Sequence, residues 1–134
     1  MEIKEIYKLY SKYFLVDTDT RNIREHSLFF ALKGEKFNGN KFAHTALDQG
    51  AAFAIIDEIE FKISDKTIVV DNVLETLQQL ANYHRLQLRI PIIALTGSNG
   101  KTTTKELINT VLSEKYTTTA TLGNLNNHIG VPLT

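Results

Sequence analysis

Ile92-Ile93-Ala94-Leu95-Thr96-Gly97-Ser98-Asn99-Gly100-Lys101-Thr102-Thr103-Thr104 decides how the rest of the chain is read. An apolar run ends in two glycines, a lysine and consecutive hydroxyl residues, and an amphipathic segment follows. That order predicts a strand, a phosphate-binding loop and a helix. Glycines let backbone N–H groups turn inward around a phosphate, and the helix start adds the positive end of its dipole. Gly97, Ser98, Asn99, Gly100, Lys101, Thr102 and Thr103 are the candidate ATP cradle. Lys101 would reach the β- and γ-phosphates and act as the catalytic cation, and the Thr102 hydroxyl would ligate Mg²⁺. The pattern is the short form G-x-x-G-K-T, because Leu95 stands where the longer G-x-x-x-x-G-K-[ST] has its first glycine. The competing reading is a glycine-rich turn before a helix with an incidental lysine. The strand before and the helix after favour the phosphate loop.

Composition narrows the remaining classes. The chain has 134 residues, enough for one ordinary domain or for a small domain plus part of another. Its 15 basic and 15 acidic residues balance, so no long-range field favours nucleic acid or an anionic membrane. Arg85 and Arg89 fall on a helical pattern and read as a solvated face. With no cysteine, disulfides and thiolate metal sites are excluded. The four histidines, His26, His44, His84 and His128, lack metal-ligand spacing and read as surface or packing residues. Met1-Glu2-Ile3-Lys4-Glu5 is no apolar signal core, and no run reaches membrane-spanning length, so a cytoplasmic protein is expected.

Outward from the loop, the chain reads as an α/β protein. Ile3, Ile6, Tyr7, Tyr10, Tyr13 and Phe14 recur at helical spacing and predict an N-terminal amphipathic helix. Val16 to Arg21 is rich in short polar side chains and predicts a turn. Ser27 to Leu32, Ala51 to Ile56 and Thr67 to Val70 are strands of the kind buried on both faces of a sheet. Lys33 to Asn40, with two glycines and two asparagines, is expected to be an exposed loop. A short helix over Phe42–Gln49 should stop at Gly50. Asn72 caps a longer helix whose stripe is Val73, Leu77, Leu80, Ala81, His84 and Leu88. Ile90-Pro91 disfavours continuing that helix. The expected division is therefore residues 1–84 and 85–134, with the boundary at about 84–91. The second part would hold strand, loop, helix and a further strand over Tyr116–Thr121. After Lys101 its only acids are Glu106 and Glu114, both on the helix leaving the loop, so a later Mg²⁺ carboxylate is missing. This predicts the N-terminal piece of a longer enzyme.

Thr96-Gly97-Ser98-Asn99-Gly100-Lys101-Thr102-Thr103-Thr104-Lys105-Glu106 resembles the ATP loop of the Mur ligases, which use this shortened form. Asp19-Thr20-Arg21, Ser27 to Glu35, Phe37 to Phe42 and Gly50-Ala51 resemble the N-terminal domain of the D-alanyl-D-alanine-adding branch of that family. Gly123-Asn124-Leu125-Asn126-Asn127-His128-Ile129-Gly130-Val131-Pro132-Leu133-Thr134 is similar to the segment after the first central-domain helix. The resemblance implies a small uridine-nucleotide-binding domain followed by the start of a Mur-type ATPase domain, in an enzyme of peptidoglycan precursor synthesis. Its substrates would be UDP-N-acetylmuramoyl-tripeptide, D-alanyl-D-alanine and MgATP. By resemblance, Thr20, Arg21 and the Lys33–Phe42 loop, with Lys33, Gly34 and Asn40 as its named contacts, face the uridine diphosphate, and Asn126 and Asn127 belong to a substrate-facing loop. Asn40 stands where the family favours histidine. The family's later acidic Mg²⁺ ligand, modified lysine and third domain all have counterparts only past Thr134. A tripeptide-forming Mur ligase, a folylpolyglutamate synthetase or a nucleotide-binding regulatory module are the alternatives. The folylpolyglutamate synthetases should lack the Asp19-Thr20-Arg21 and Leu28–Gly34 region.

Overall fold

The computed structural model describes residues 1–134 apart from Asn124. The chain divides into two compact units, Met1–Leu86 and Gln87–Thr134.

The first unit is α/β. Helix α1 (Ile3–Tyr10) leads to β1 (Val16–Asp17), a 3-10 turn (Thr20–Asn22) and β2 (Leu28–Phe30). A hairpin of β3 (Lys33–Gly34) and β4 (Phe37–Asn38) follows, then a 3-10 turn (Gly39–Phe42) and α2 (Ala43–Asp48). Next come β5 (Phe53–Ile56), β6 (Thr67–Val69) and α3 (Val73–Leu88). The sheet is parallel throughout, in the order β1-β2-β5-β6, with Val16 opposite Leu28, Leu28 opposite Phe53 and Ala54 opposite Thr67.

Alternation along the strands makes two cores. Leu28, Phe30, Ile55 and Ile68 point to one face, where Ile6 of α1 and Val73, Leu77 and Leu80 of α3 cover them. Phe29, Ala31, Ala54 and Ile56 point to the other, where Ala43 and Ala46 of α2 lie. This is why β2 and β5 read as continuous apolar runs: neither face meets water. Each buried Phe, Leu or Ile contributes about 1.5–3 kcal/mol. The clusters therefore hold the unit more than the two- and three-residue ladders do. Asn72 caps α3 by accepting the Glu75 N–H at 3.0 Å.

Four expectations change. Helix α1 ends at Tyr10, so Tyr13 and Phe14 lie outside it. The chain reverses at Phe14, whose φ is 56°, to enter β1, and both rings are about half exposed. Val16–Asp17 is an edge strand rather than a turn, because the backbone of β2 offers it a ladder. Lys33–Asn40 is an ordered hairpin and turn, with Gly39 and Asn40 buried. A Cβ on Gly39 would lie 2.4 Å from the Leu32 carbonyl oxygen, so this close approach of two backbone segments requires glycine.

The fourth change concerns the second unit. Its one helix or strand among the described residues is α4 (Lys101–Ser113). Neither Ile92–Leu95 nor Tyr116–Thr121 forms the expected strand. A strand exists only in a ladder, and neither segment has a hydrogen-bonded neighbour strand here. The Lys105 ammonium holds the segment after α4 by donating to the Thr121 and Gly123 carbonyls. The Thr118 hydroxyl adds a bond to the Asn109 side chain at 2.9 Å.

Candidate functional site

In a parallel sheet the loops that follow the strands gather at one edge, and ligands bind in crevices there. In the first unit this edge carries a cleft of about 440 Å³ lined by Thr18, Asp19, Thr20, Arg21, Phe29, Phe37 and Phe42. One wall is the 3-10 turn after β1. Asp19 caps it, accepting the Arg21 N–H at 2.9 Å. The Arg21 guanidinium folds back on the same carboxylate, Nε to Oδ1 at 2.9 Å and Nη2 to Oδ2 at 2.5 Å. Those bonds hold the Asp19 carboxyl down at about 2. Arg21 is nonetheless 85% exposed, so its remaining donors face water and anything that enters. Behind it, Arg24 grips Asp17 at 2.6 Å.

The opposite wall is aromatic. Phe37 and Phe42 stack with ring centroids 5.3 Å apart and planes 13° from parallel. Both lie in the Lys33–Phe42 loop expected at the uridine diphosphate, but neither ring was named individually as a contact. The available signal was two aromatic rings bracketing Asn38–Lys41, a polar stretch with no apolar periodicity to bury them.

Lys33, Gly34 and Asn40 do not line this cleft. The Lys33 ammonium lies 3.0 Å from Asp57 Oδ1 and 3.3 Å from Glu58 Oε1. Asn40 is 1% exposed and its amide is spent internally. Its Nδ2 donates to Asp57 Oδ1 at 2.9 Å and to Asn38 Oδ1 at 3.0 Å, and its Oδ1 accepts the Asp57 N–H at 3.0 Å. Instead of facing the cleft, the Asn40 side chain bolts the hairpin to the end of β5. Gly34 is exposed, with room around it for a side chain.

In the second unit the loop before α4 has the backbone a phosphate needs. Gly97 and Gly100 take φ of 144° and 77°, and Gly100 is the N-cap of α4. No side chain caps this helix start, so its first N–H groups are left for an anion. Gly97, Ser98, Asn99, Gly100, Thr102 and Thr103 are exposed. Lys101 donates to the Gly97 carbonyl and lies 3.5 Å from that of Ser98. The residues therefore fit a nucleotide phosphate. For Mg²⁺ the loop supplies one hydroxyl, Thr102, and among the described residues no group of three His, Asp or Glu gathers to complete a site. Asn126 is exposed. Asn127 caps the following turn, its Oδ1 accepting the Ile129 and Gly130 N–H groups at 3.1 and 2.7 Å. Asn124, in the same motif, lies outside the described residues.

No helix among the described residues is long and apolar enough to cross a membrane.

Comparison with known proteins agrees with this geometry. The model of the Mur ligase family catalytic domain matches residues 12–85, and that of the Mur ligase middle domain matches residues 95–134. A relative from Bacillus subtilis, UDP-N-acetylmuramoyl-tripeptide–D-alanyl-D-alanine ligase, is 46% identical over 121 residues, covering 89% of this chain and 26% of its own length. A crystal structure of MurF from Acinetobacter baumannii is 40% identical with a TM-score of 0.78, covering 88% of this chain and 26% of that one. The structure of MurF ligase from Thermotoga maritima in complex with ADP is 33% identical with a TM-score of 0.79, covering 89% and 28%. The chain thus spans about a quarter of the length of the relatives it matches. The first family model runs through the cleft-bearing unit for more than half the chain and the second continues through the glycine loop, and on that footing the chain belongs to the Mur ligase family.

Proposed function

We propose that these residues are part of an ATP-dependent ligase that joins D-alanyl-D-alanine to UDP-N-acetylmuramoyl-tripeptide. Residues 1–84 would hold the uridine diphosphate end of the substrate, and residues 85–134 would begin the ATP-binding domain. The observation that carries this reading is continuity: the likeness to the D-alanyl-D-alanine-adding ligases runs through both the cleft and the glycine loop, at 46% identity to the Bacillus subtilis relative.

The geometry suits the chemistry. Arg21 offers rigid, outward-facing donors to a diphosphate, and Thr20 lies beside it in the cleft. Phe37 and Phe42 offer a flat apolar wall to a nucleobase. In the loop, backbone N–H groups and Lys101 would balance charge on the ATP phosphates. The Thr102 hydroxyl would give Mg²⁺ one protein ligand, with phosphate oxygens and water among the rest. In the overall reaction the tripeptide carboxylate takes the γ-phosphoryl group of ATP, releasing ADP. The amine of the dipeptide then attacks the acyl phosphate, giving the amide and inorganic phosphate. Lys33 and Asn40 act behind the cleft, Asn127 shapes the loop after α4, and the exposed Asn126 beside it would face substrate.

The test is an acceptor series with the full-length gene product, UDP-N-acetylmuramoyl-tripeptide and MgATP. Amide formation with D-alanyl-D-alanine, well above that with single amino acids, is expected. Preference for a single amino acid would assign another Mur-type ligase. Nucleotide binding without any amide product would leave only a binding module.

A further inference from the structure

The hairpin β3–β4 has two residues in each strand, and a ribbon that short does not hold itself in place. Its Phe37 ring is 52% exposed and Phe42 is 37% exposed, so core packing does not fix the aromatic wall either. Besides the Gly39 N–H bond to the Leu32 carbonyl, its side-chain anchors are polar and come from one place. Lys33 and Asn38 of the hairpin, and Asn40 just after it, all end on Asp57 or Glu58, the two residues that follow β5. Glu58 takes Asn38 and Lys33, while Asp57 takes Asn40 Nδ2 at 2.9 Å and Lys33 Nζ at 3.0 Å on one oxygen and, on the other, the Val73 N–H at the start of α3, at 3.3 Å. Its own N–H is taken by Asn40 Oδ1 at 3.0 Å. The carboxylate is 8% exposed and does not line the cleft. Burial alone would raise its pKa, but the bonds from Asn40, Lys33 and Val73 outweigh burial and leave it below the ordinary value, so it stays charged.

We propose that Asp57 is a positioning residue for the nucleotide end of the substrate: through Asn40 and Lys33 it sets the hairpin that carries Phe37 against Phe42. This rests on the reading of the cleft as the uridine diphosphate site. Binding surfaces tolerate little slack, because a wall displaced by a fraction of an ångström loses dispersion contacts outright.

The test uses the full-length enzyme with Asp57→Ala and Asp57→Asn. In Asp57→Ala, KM for UDP-N-acetylmuramoyl-tripeptide should rise roughly tenfold, while kcat at saturation and KM for ATP and for D-alanyl-D-alanine stay within about twofold, the pattern of lost ground-state binding. Asp57→Asn keeps an acceptor for Asn40 and Lys33 and should recover most of the loss. Amide hydrogen exchange over residues 33–42 should quicken in Asp57→Ala while β2 and β5 keep their protection. An unchanged KM, or a fall in kcat matching a loss of folded enzyme with every KM unmoved, overturns the proposal. If the wild-type enzyme does not turn over the uridine-linked peptide, the parent reading fails. Exchange then decides: quickening confined to residues 33–42 upholds Asp57 as the anchor, and its absence sinks it.

Discussion

Arg21 and Lys101, the two cations proposed to meet phosphate, both rest on protein oxygens. Arg21 lies on Asp19, an exposed pair that adds little to stability. In the full-length enzyme Arg21→Ala should therefore weaken UDP-sugar binding roughly tenfold or more, since charge-assisted bonds to phosphate are the strong ones. Its melting temperature should not move; calorimetry and a thermal melt check both, and equal binding would remove Arg21 as the anchor. Lys101 curls over the Gly97 and Ser98 carbonyls, and under the proposed function nucleotide would draw it away from them. Lys101→Ala should cut turnover at saturating ATP by about a thousandfold or more, as expected when a cation facing the transferred phosphoryl is lost. Steady-state rates on correctly folded variant decide this, and near-normal turnover would refute the role. Both residues are proposed from local signals, a fork beside a turn and a lysine after two glycines. The internal bonding of Asn40 was not legible in this way: its partner Asp57 is 17 residues away, and nothing local announces a bond across the sheet edge.

Among the elements, the buried strands and the two principal helices were readable, because a run that is apolar on both faces or striped at helical spacing declares its surroundings. The failures lie where pairing, not composition, makes the element. Val16–Asp17 became a strand because β2 was beside it, and Ile92–Leu95 did not because nothing was. The segment Lys33–Asn40 looked like a loop because its order rests on long-range side-chain bonds. Its tightest point is Gly39, whose N–H meets the Leu32 carbonyl at 3.0 Å. Gly39→Ala should destabilise the first unit by about 1–3 kcal/mol, the usual cost of forcing in a methyl group. For a unit of this size that is a drop of about 4–8 °C in melting temperature per kcal/mol. Gly34→Ala, at an open position, is the control and should leave the melt in place.

For the molecule as a whole, two carboxylates at one sheet edge set the acid limit. Asp17 and Asp57 are partly buried, which would raise them, yet the bonds they accept from Arg24 and from Asn40, Lys33 and Val73 leave both below the ordinary value. A depressed carboxyl adds stability that is complete above the unfolded value of about 3.9 and is lost as pH falls through the folded one. Urea titrations from pH 6 to 2 should therefore show the first unit steady down to about pH 4 and failing below it, with a shallower fall in Asp57→Asn. The two units should also differ in protection. No residue of α4 is buried, and Leu107 and Val111 are 63% and 70% exposed. In a chain of residues 1–134, α4 amides should exchange far faster than those of β2 and β5, as measured by mass spectrometry. Equal protection would mean that something covers α4. The sheet order β1-β2-β5-β6 also bears on how the unit is made. Spatial order equals chain order, so as the chain leaves the ribosome each new strand finds its neighbour already waiting, and no early strand idles for a late partner. The element kept waiting longest is the first to emerge: α1 cannot complete its packing until Val73, Leu77 and Leu80 of α3 have been synthesised.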